Sequence, residues 1–301
     1  MGKMKKTRIK GPLDDRIFGW VAKTLMFLLL LVCVYPLYFV VIASFSKPEM
    51  VSTGKVILFP GGFTTIGYEK IFQDDMILRG FLNSVFYTVV GTLINLFVTL
   101  PAAYALSRKD LVGRRPIMIF FIVTMYFNGG MIPTYLLIQN LGLYNNPVVL
   151  LVCTALVVYN MIIARSFFEG TIPYELLEAA RMDGCSNTRF FCTIVLPLSK
   201  TMIAVIALYY GVQHWNTYMN ALLYIDDQKW KPLQLVLREL LISTNAMSNM
   251  LQGSESAQEQ QNLTSIMQYG IIVVSTLPMM IVFPFVQKYF VKGVMIGAVK
   301  G

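Results

Sequence analysis

Charge is what this sequence most lacks. Of its 301 residues only 14% are Asp, Glu, Lys or Arg, against 56% hydrophobic and a mean hydropathy of +0.61. An average soluble domain carries roughly 25% charge, so a soluble globular chain is excluded. The charged residues stand in clusters separated by apolar stretches of about 20 residues, the length a helix needs to cross a hydrocarbon core. The ten-residue alternating segments of an outer-membrane barrel are not what separates them. These features predict an all-α, polytopic membrane protein.

Other absences narrow the function. There is a single histidine, His214, and the four cysteines, Cys33, Cys153, Cys185 and Cys192, contain no C-x-x-C pair. A zinc or redox site is not expected, and the thiols read as small buried hydrophobes. The G-x-x-x-x-G-K-[ST] loop of P-loop nucleotide hydrolases is absent, since Gly54-Lys55 has neither the upstream glycine nor the following hydroxyl. His214 stands without a visible catalytic partner, so the chain reads as a non-enzyme with no bound cofactor or metal. Well inside the second to sixth apolar windows there is no Asp, Glu, Lys or Arg. That argues against a self-sufficient carrier that binds a proton or sodium ion within the membrane.

Six windows qualify as spans: Ile17 to Phe45, Phe81 to Leu106, Ile117 to Ile138, Pro147 to Ala164, Thr201 to Tyr224 and Tyr269 to Phe290. The first, after the basic stretch Lys3 to Lys10, is too long for the apolar region of a signal peptide and reads as a retained anchor. Six spans put both termini on one side. Lys and Arg then number six, four, four and three in residues 1–16, 107–116, 165–200 and from Lys288 onward, against four and three in 46–80 and 225–268. The positive-inside rule makes both termini cytoplasmic. The basic excess is explained by flanks facing anionic lipid rather than by nucleic acid.

The chain therefore divides into a basic cytoplasmic tail 1–16, a first span 17–45, an extracytoplasmic loop 46–80 and a five-helix core 81–290, with a cytoplasmic tail 291–301. The core contains an inside loop 165–200 and an outside loop 225–268. Within the latter, Ser254 to Asn262 is rich in Gln, Ser and Glu and reads as a mobile loop.

Residues 165–200 form a connection much longer than the usual 4 to 6 residues, which suggests a docking element. Its centre, Pro173 to Gly184, reads as a short helix with a proline in its first turn and a glycine stop. Ser186 or Asn187 suits the cap of a second short helix through Phe190, Phe191 and Ile194, closed by Pro197. Ala179 and Ala180 would offer a small-residue face that a partner can approach closely, and Glu178 a charge for a basic side chain.

Glu178-Ala179-Ala180, then Gly184, then Ile194-Val195-Leu196-Pro197 resembles the EAA coupling motif of ABC importer permeases, EAA-x3-G-x9-I-x-LP. Asn83-Ser84, Pro101-Ala102-Ala103-Tyr104-Ala105, Ile132-Pro133, Leu141-Gly142-Leu143, Trp215-Asn216 and the ending Gln287 to Gly301 are similar to the six-span permease of maltose-type carbohydrate uptake systems. Phe127 to Thr134 looks most like the branch for complex polysaccharide fragments. Two positions depart from the pattern: Cys185 stands where alanine commonly follows the glycine, and Thr201 where a second proline often stands.

The resemblance implies a transport subunit that works with a homologous permease, two ATPase subunits holding ATP and Mg, and an extracytoplasmic solute-binding protein delivering an oligosaccharide. It implies that Glu178, Ala179, Ala180, Asp183, Gly184, Ile194, Leu196 and Pro197 couple to the ATPase. It also implies that the loop 225–268 reaches toward the binding protein.

For the path itself, the fifth window clusters Gln213, His214, Trp215, Asn216 and Asn220 among tyrosines. Amides beside aromatic rings suit sugar hydroxyls and pyranose faces, and they also suit a non-sugar solute such as a peptide. Interhelical hydrogen bonds and an interfacial aromatic belt use the same residue types. Asn128-Gly129-Gly130 with Pro133 interrupts the third window, either as a kink beside an outer gate or as a helix end. Asn128 is included among the candidate path residues.

Overall fold

A computed structural model describes residues 13–250 and 255–298. The basic stretch Lys3 to Lys10, residue 254 and the last three residues of the C-terminal tail lie outside the described residues. Among those described, the chain is helical, with no strand beyond an isolated bridge between Ser46 and Phe63.

The chain divides into two compact units, residues 1–69 with 252–273, and residues 70–251 with 274–301. In the first, α1 (Leu13–Ser44) is a long helix with almost none of its apolar window buried. Phe18, Leu25, Phe27, Leu28 and Leu37 among others face outward, which is stable only against lipid or another apolar chain. Beyond it, Phe45 stacks on Phe63 at 5.7 Å and the Ser46 hydroxyl accepts from Gly61 N–H at 3.1 Å.

The second unit is organised by α2 (Asp75–Ser107), begun by Asp74, whose carboxylate accepts from the N–H groups of Met76 and Ile77. Its buried stripe runs through Ile77, Gly80, Ser84, Tyr87, Gly91, Asn95, Thr99 and Ala103, at steps of three and four residues. Leu82, Phe86, Val89, Leu93 and Phe97 point out. This inverts the pattern of a water-soluble helix. In lipid there is no hydrophobic drive between helices, so small and polar residues make the close contacts while large apolar ones face the tails.

The third window is split into α3 (Arg114–Tyr126) and α4 (Met131–Asn140), bent by 110°. Asn128 Oδ1 accepts from Gly130 N–H at 2.8 Å and Gly130 has φ +88°, a conformation glycine adopts freely. The motif is thus a sharp corner. The fourth window is not one helix: α5 (Val148–Val152) is followed by five non-helical residues and then α6 (Val158–Thr171).

After α6 come α7 (Tyr174–Met182), α8 (Asn187–Leu198), whose middle widens into a π-helical turn at Phe191–Val195, and α9 (Lys200–Trp215), bent 84° from α8. The fifth window stops at Asn216 and resumes as α10 (Met219–Tyr224). Then follow α11 (Leu233–Met250) and α12 (Glu255–Ala298).

Among the described residues three helices are long and apolar enough to cross a membrane, or up to five if each bent pair is one span. The chain is a membrane protein with several apolar helices. Helix replaces the loop expected from composition at 255–262, and helix continues through residues 291–298 of the expected tail. Cys33, Cys153 and Cys192 are exposed on this chain and Cys185 is half-buried, not the fully buried thiols expected.

Two cores form within the second unit. One joins Leu100, Ala103 and Leu106 of α2 to Met161, Ala164 and Phe168 of α6, Leu177 and Ala180 of α7, Phe190 and Val195 of α8, and Ile206 and Tyr210 of α9. The other joins Tyr87, Ile138, Leu150, Ala221, Tyr224 and Leu235.

Candidate functional site

The EAA segment is a helix with defined ends. Pro173 sits at the cap position with φ −61° and ψ 145°, just before the first helical residue, Tyr174. At the other end Gly184 has φ +73°, Gly184 N–H donates to the Arg181 carbonyl at 3.0 Å, and Cys185 N–H donates to the Ala180 carbonyl at 2.9 Å. These two bonds form the Schellman stop, which requires a left-handed residue at the turn. A Cβ on Gly184 would meet nothing within 4 Å, so glycine is needed here for its backbone and not for space. Cys185 packs against the core, the apolar contact that accompanies this motif. Ser186 then caps α8, its hydroxyl accepting from Arg189 N–H at 3.3 Å.

The two alanines divide between faces. Glu178, Ala179, Asp183 and Gly184 are exposed, whereas Ala180 is 8% exposed and packs with Leu177 into the core. The small-residue face expected from Ala179 and Ala180 together is therefore corrected: helical geometry turns neighbours 100° apart, and only Ala179 looks outward. Ile194 and Leu196 pack against the same core, while Pro197 is exposed and stands within the first turn of the last helical stretch. Pro197 does not end α8; Ser199 does, at the 84° bend.

Ion pairs brace this helix from below. Asp110 Oδ2 accepts from Arg108 Nη2 at 2.6 Å and from Arg181 Nη2 at 2.9 Å, joining α7 to the α2–α3 connection. The two guanidiniums, Arg108 first, hold the Asp110 carboxyl well below the usual carboxylate range. Glu169 accepts from Arg165 at 2.7 Å and Arg114 at 3.2 Å. Beside the first turn of α7 opens a cavity of about 510 Å³ lined by Tyr104, Arg108, Arg114, Glu169, Tyr174 and Glu175 among others.

The broken fourth window has its own explanation. Asn95 donates from Nδ2 to the Thr154 carbonyl, and its Oδ1 accepts from His214 Nε2–H at 2.6 Å. The Tyr210 hydroxyl accepts from Val157 N–H at 3.1 Å and bonds the Thr99 hydroxyl at 2.7 Å. Side chains of α2 and α9 thus take the backbone groups that the break frees, the condition on which non-helical backbone survives at membrane depth.

His214 and Trp215 are accordingly internal. His214 is 2% exposed against Asn95, and Trp215 is 3% exposed with its indole N–H donating to the Ser275 carbonyl at 2.9 Å. Gln213 and Asn216 are exposed and Asn220 is half-buried, so these three reach an open surface. Asn128 is exposed at the α3–α4 corner, and among the described residues no hydrogen bond joins it to the fifth-window cluster. Sequence reasoning did not single out Asn95. Its signal was there: a lone amide between Ile94 and Leu96 in an apolar helix must have a partner.

A platform lies at the far end of α2. Asn83 Nδ2 donates to the carbonyls of Lys229 and Lys231, Tyr87 donates to that of Trp230, and Ser84 accepts from Leu233 N–H. Asn145, with φ 55°, accepts from the N–H groups of Asp226 and Asp227. The start of the 225–268 segment is therefore rigidly held.

Residues 77–296 match the family described as "Binding-protein-dependent transport system inner membrane component". The chain is 41% identical over 291 residues, 96% of its length and all of the relative's, to a polygalacturonan/rhamnogalacturonan transport system permease protein, YtcP, of Bacillus subtilis. It is 38% identical to LplC of the same organism, covering 90% of each. Among solved structures it resembles a chain of a bacterial ABC transporter involved in the import of the acidic polysaccharide alginate, with TM-score 0.84, 32% identity, and coverage of 94% and 100%. The chain belongs to the binding-protein-dependent inner membrane component family. It is a permease subunit of an ABC importer, a transport protein rather than an enzyme.

Proposed function

We propose that this permease and a homologous partner form the path of an ATP-driven importer for an oligosaccharide. An extracytoplasmic binding protein hands over the sugar, and two separate ATPase subunits supply the work. The sugar reading is supported by the polygalacturonan/rhamnogalacturonan and alginate systems to which the chain is similar. The chain sits in the cytoplasmic membrane with six crossings, each broken window making one, and both termini inside.

One observation carries the mechanism. On α7 the outward face presents Glu178 and Ala179, while the inward face, Leu177 and Ala180, is packed with the ends of α2, α6 and α9. A body that clasps the outward face moves those helix ends with it, because close-packed cores switch between arrangements rather than deform. In this reading α7 is cytoplasmic, and Glu178 meets a basic side chain of the ATPase. Ala179, Asp183 and Gly184 lie against it, and Ile194, Leu196 and Pro197 carry the motion into α9. Gln213, Asn216 and Asn220 line the path, and His214 and Trp215 support them from inside.

Purification of the tagged chain from native membranes tests this, with identification of co-purifying proteins and an ATPase assay with binding protein and oligosaccharides. Recovery of an ATPase and a second permease, with sugar-stimulated hydrolysis, is expected. A chain that emerges alone from membranes still competent for uptake overturns it.

A further inference from the structure

Arg238 on α11 is a half-buried cation that pairs with no carboxylate among the described residues. Its guanidinium carbon lies 5.5 Å from the centroid of the Tyr218 ring. The adjacent acid, Glu239, is taken by Lys231 Nζ at 2.6 Å. Among the described residues the other ion pairs do not use Arg238 either. Keeping a partly desolvated charge uncompensated is costly, and the cost is recovered when an anion arrives. Stacking on a ring engages the face of a guanidinium and leaves its N–H edge free, and that edge matches a carboxylate with two parallel hydrogen bonds.

The surroundings suit a sugar acid. Asn216, which is exposed, and Asn220, which is half-buried, lie two residues either side of Tyr218 in the chain, so amides suited to hydroxyl groups occur in the same short segment. The segment is also held in place: α10 belongs to the core formed by Tyr87, Leu150 and Leu235, and Leu235 comes from the same turn of α11 that leads to Arg238. A held cation on an aromatic face, with amides close by in the chain, is what an oligosaccharide bearing a carboxylate on its ring requires.

We propose that Arg238, set by Tyr218, is a carboxylate subsite that selects anionic, uronic-acid oligosaccharides over neutral ones. This rests on the oligosaccharide path proposed above and names the charge of its cargo. The subsite predicts selectivity that resides in this subunit, in addition to whatever the binding protein imposes.

The test uses the complete importer with its binding protein in proteoliposomes. Oligogalacturonate is compared with the same oligomer methyl-esterified, which keeps the rings and removes the charge. Wild type, Arg238→Gln and Arg238→Lys are measured with each sugar, so that the binding protein's own preference cancels in the ratio. Arg238→Gln is expected to lower uptake of the acid about ten- to hundredfold, as loss of a charge-assisted pair does, and to leave the ester within about twofold. Arg238→Lys should retain an intermediate rate on the acid. Basal ATPase and complex yield should be unchanged in both variants.

Equal loss on acid and ester, or loss on neither, overturns the subsite while leaving the transport function standing. Wild-type import of the ester but not of the acid overturns it too. A wild-type complex stimulated by no oligosaccharide would instead overturn the proposed function, and the subsite with it.

Discussion

Arg181 Nη2 and Asp110 Oδ2 lie 2.9 Å apart, tying the helix that carries Glu178 to the connection between α2 and α3. Arg108 holds the same carboxylate at 2.6 Å, so the exposed helix is braced by charge on one side and by the core on the other. Asp110→Ala leaves two guanidiniums facing each other without their anion. The pair is partly exposed, so the global stability loss is expected to be only about 1 kcal/mol. Stimulated ATPase activity should fall several-fold more than basal activity, because α7 loses its brace. Side-by-side basal and stimulated rates of the assembled variant check this, and an unchanged ratio would deny the brace any part in coupling.

The same carboxylate sets a pH expectation. Its pKa in the folded chain is depressed by Arg108 and Arg181, so the stability it contributes is present above its ordinary value near 3.8 and is lost as pH falls through the lower folded value. The triad therefore stays ionised across the physiological range. Thermal unfolding in detergent should show the same difference between wild type and Asp110→Asn at pH 6 and pH 8. The difference should narrow only in strong acid. A difference that changed between pH 6 and 8 would mean that another group controls the brace.

Gly184 has φ +73° with open space around its missing Cβ. A branched residue there costs roughly 1–2 kcal/mol of backbone strain, while asparagine tolerates the left-handed region. Gly184→Val is expected to lose most stimulated ATPase activity and Gly184→Asn to keep most of it, with membrane insertion equal. Gly184→Asp puts a negative charge on the docking face and is expected to abolish stimulation although its backbone fits. Equal loss in the asparagine and valine variants would show that docking contact, not backbone freedom, keeps glycine here.

Gly91 faces the His214 ring, and a Cβ on Gly91 would stand 2.4 Å from Nε2. Gly91→Ala should displace the imidazole, break its bond to Asn95 and lower stability by about 2–4 kcal/mol through overpacking and the unpaired amide. His214→Ala removes the obstacle, so the double variant should be less damaged than the sum of the two singles. Melting curves of the four proteins form the cycle, and simple additivity would show that the contact does not couple them.

What the sequence by itself determined is whatever depends on composition and near neighbours. Length and apolarity of the windows predicted a helical membrane protein, and Pro173 and Gly184 placed the ends of α7 and Ser186 the start of α8, because helix-end signals act among residues within five positions of one another. The spacing from Glu178 to Pro197 pointed to the family for the same local reason.

Tertiary structure alone decided which side of each helix matters. Leucine and isoleucine face lipid as readily as they face a neighbouring helix, so hydropathy does not distinguish buried Ala180 from exposed Ala179, or internal His214 and Trp215 from open Gln213 and Asn216. The break in the fourth window depends on Asn95 and Tyr210, 59 and 53 positions away from the backbone groups they satisfy. Arg238 of α11 meets Tyr218 only through tertiary packing. Such contacts are made by packing, and no period in the sequence carries them.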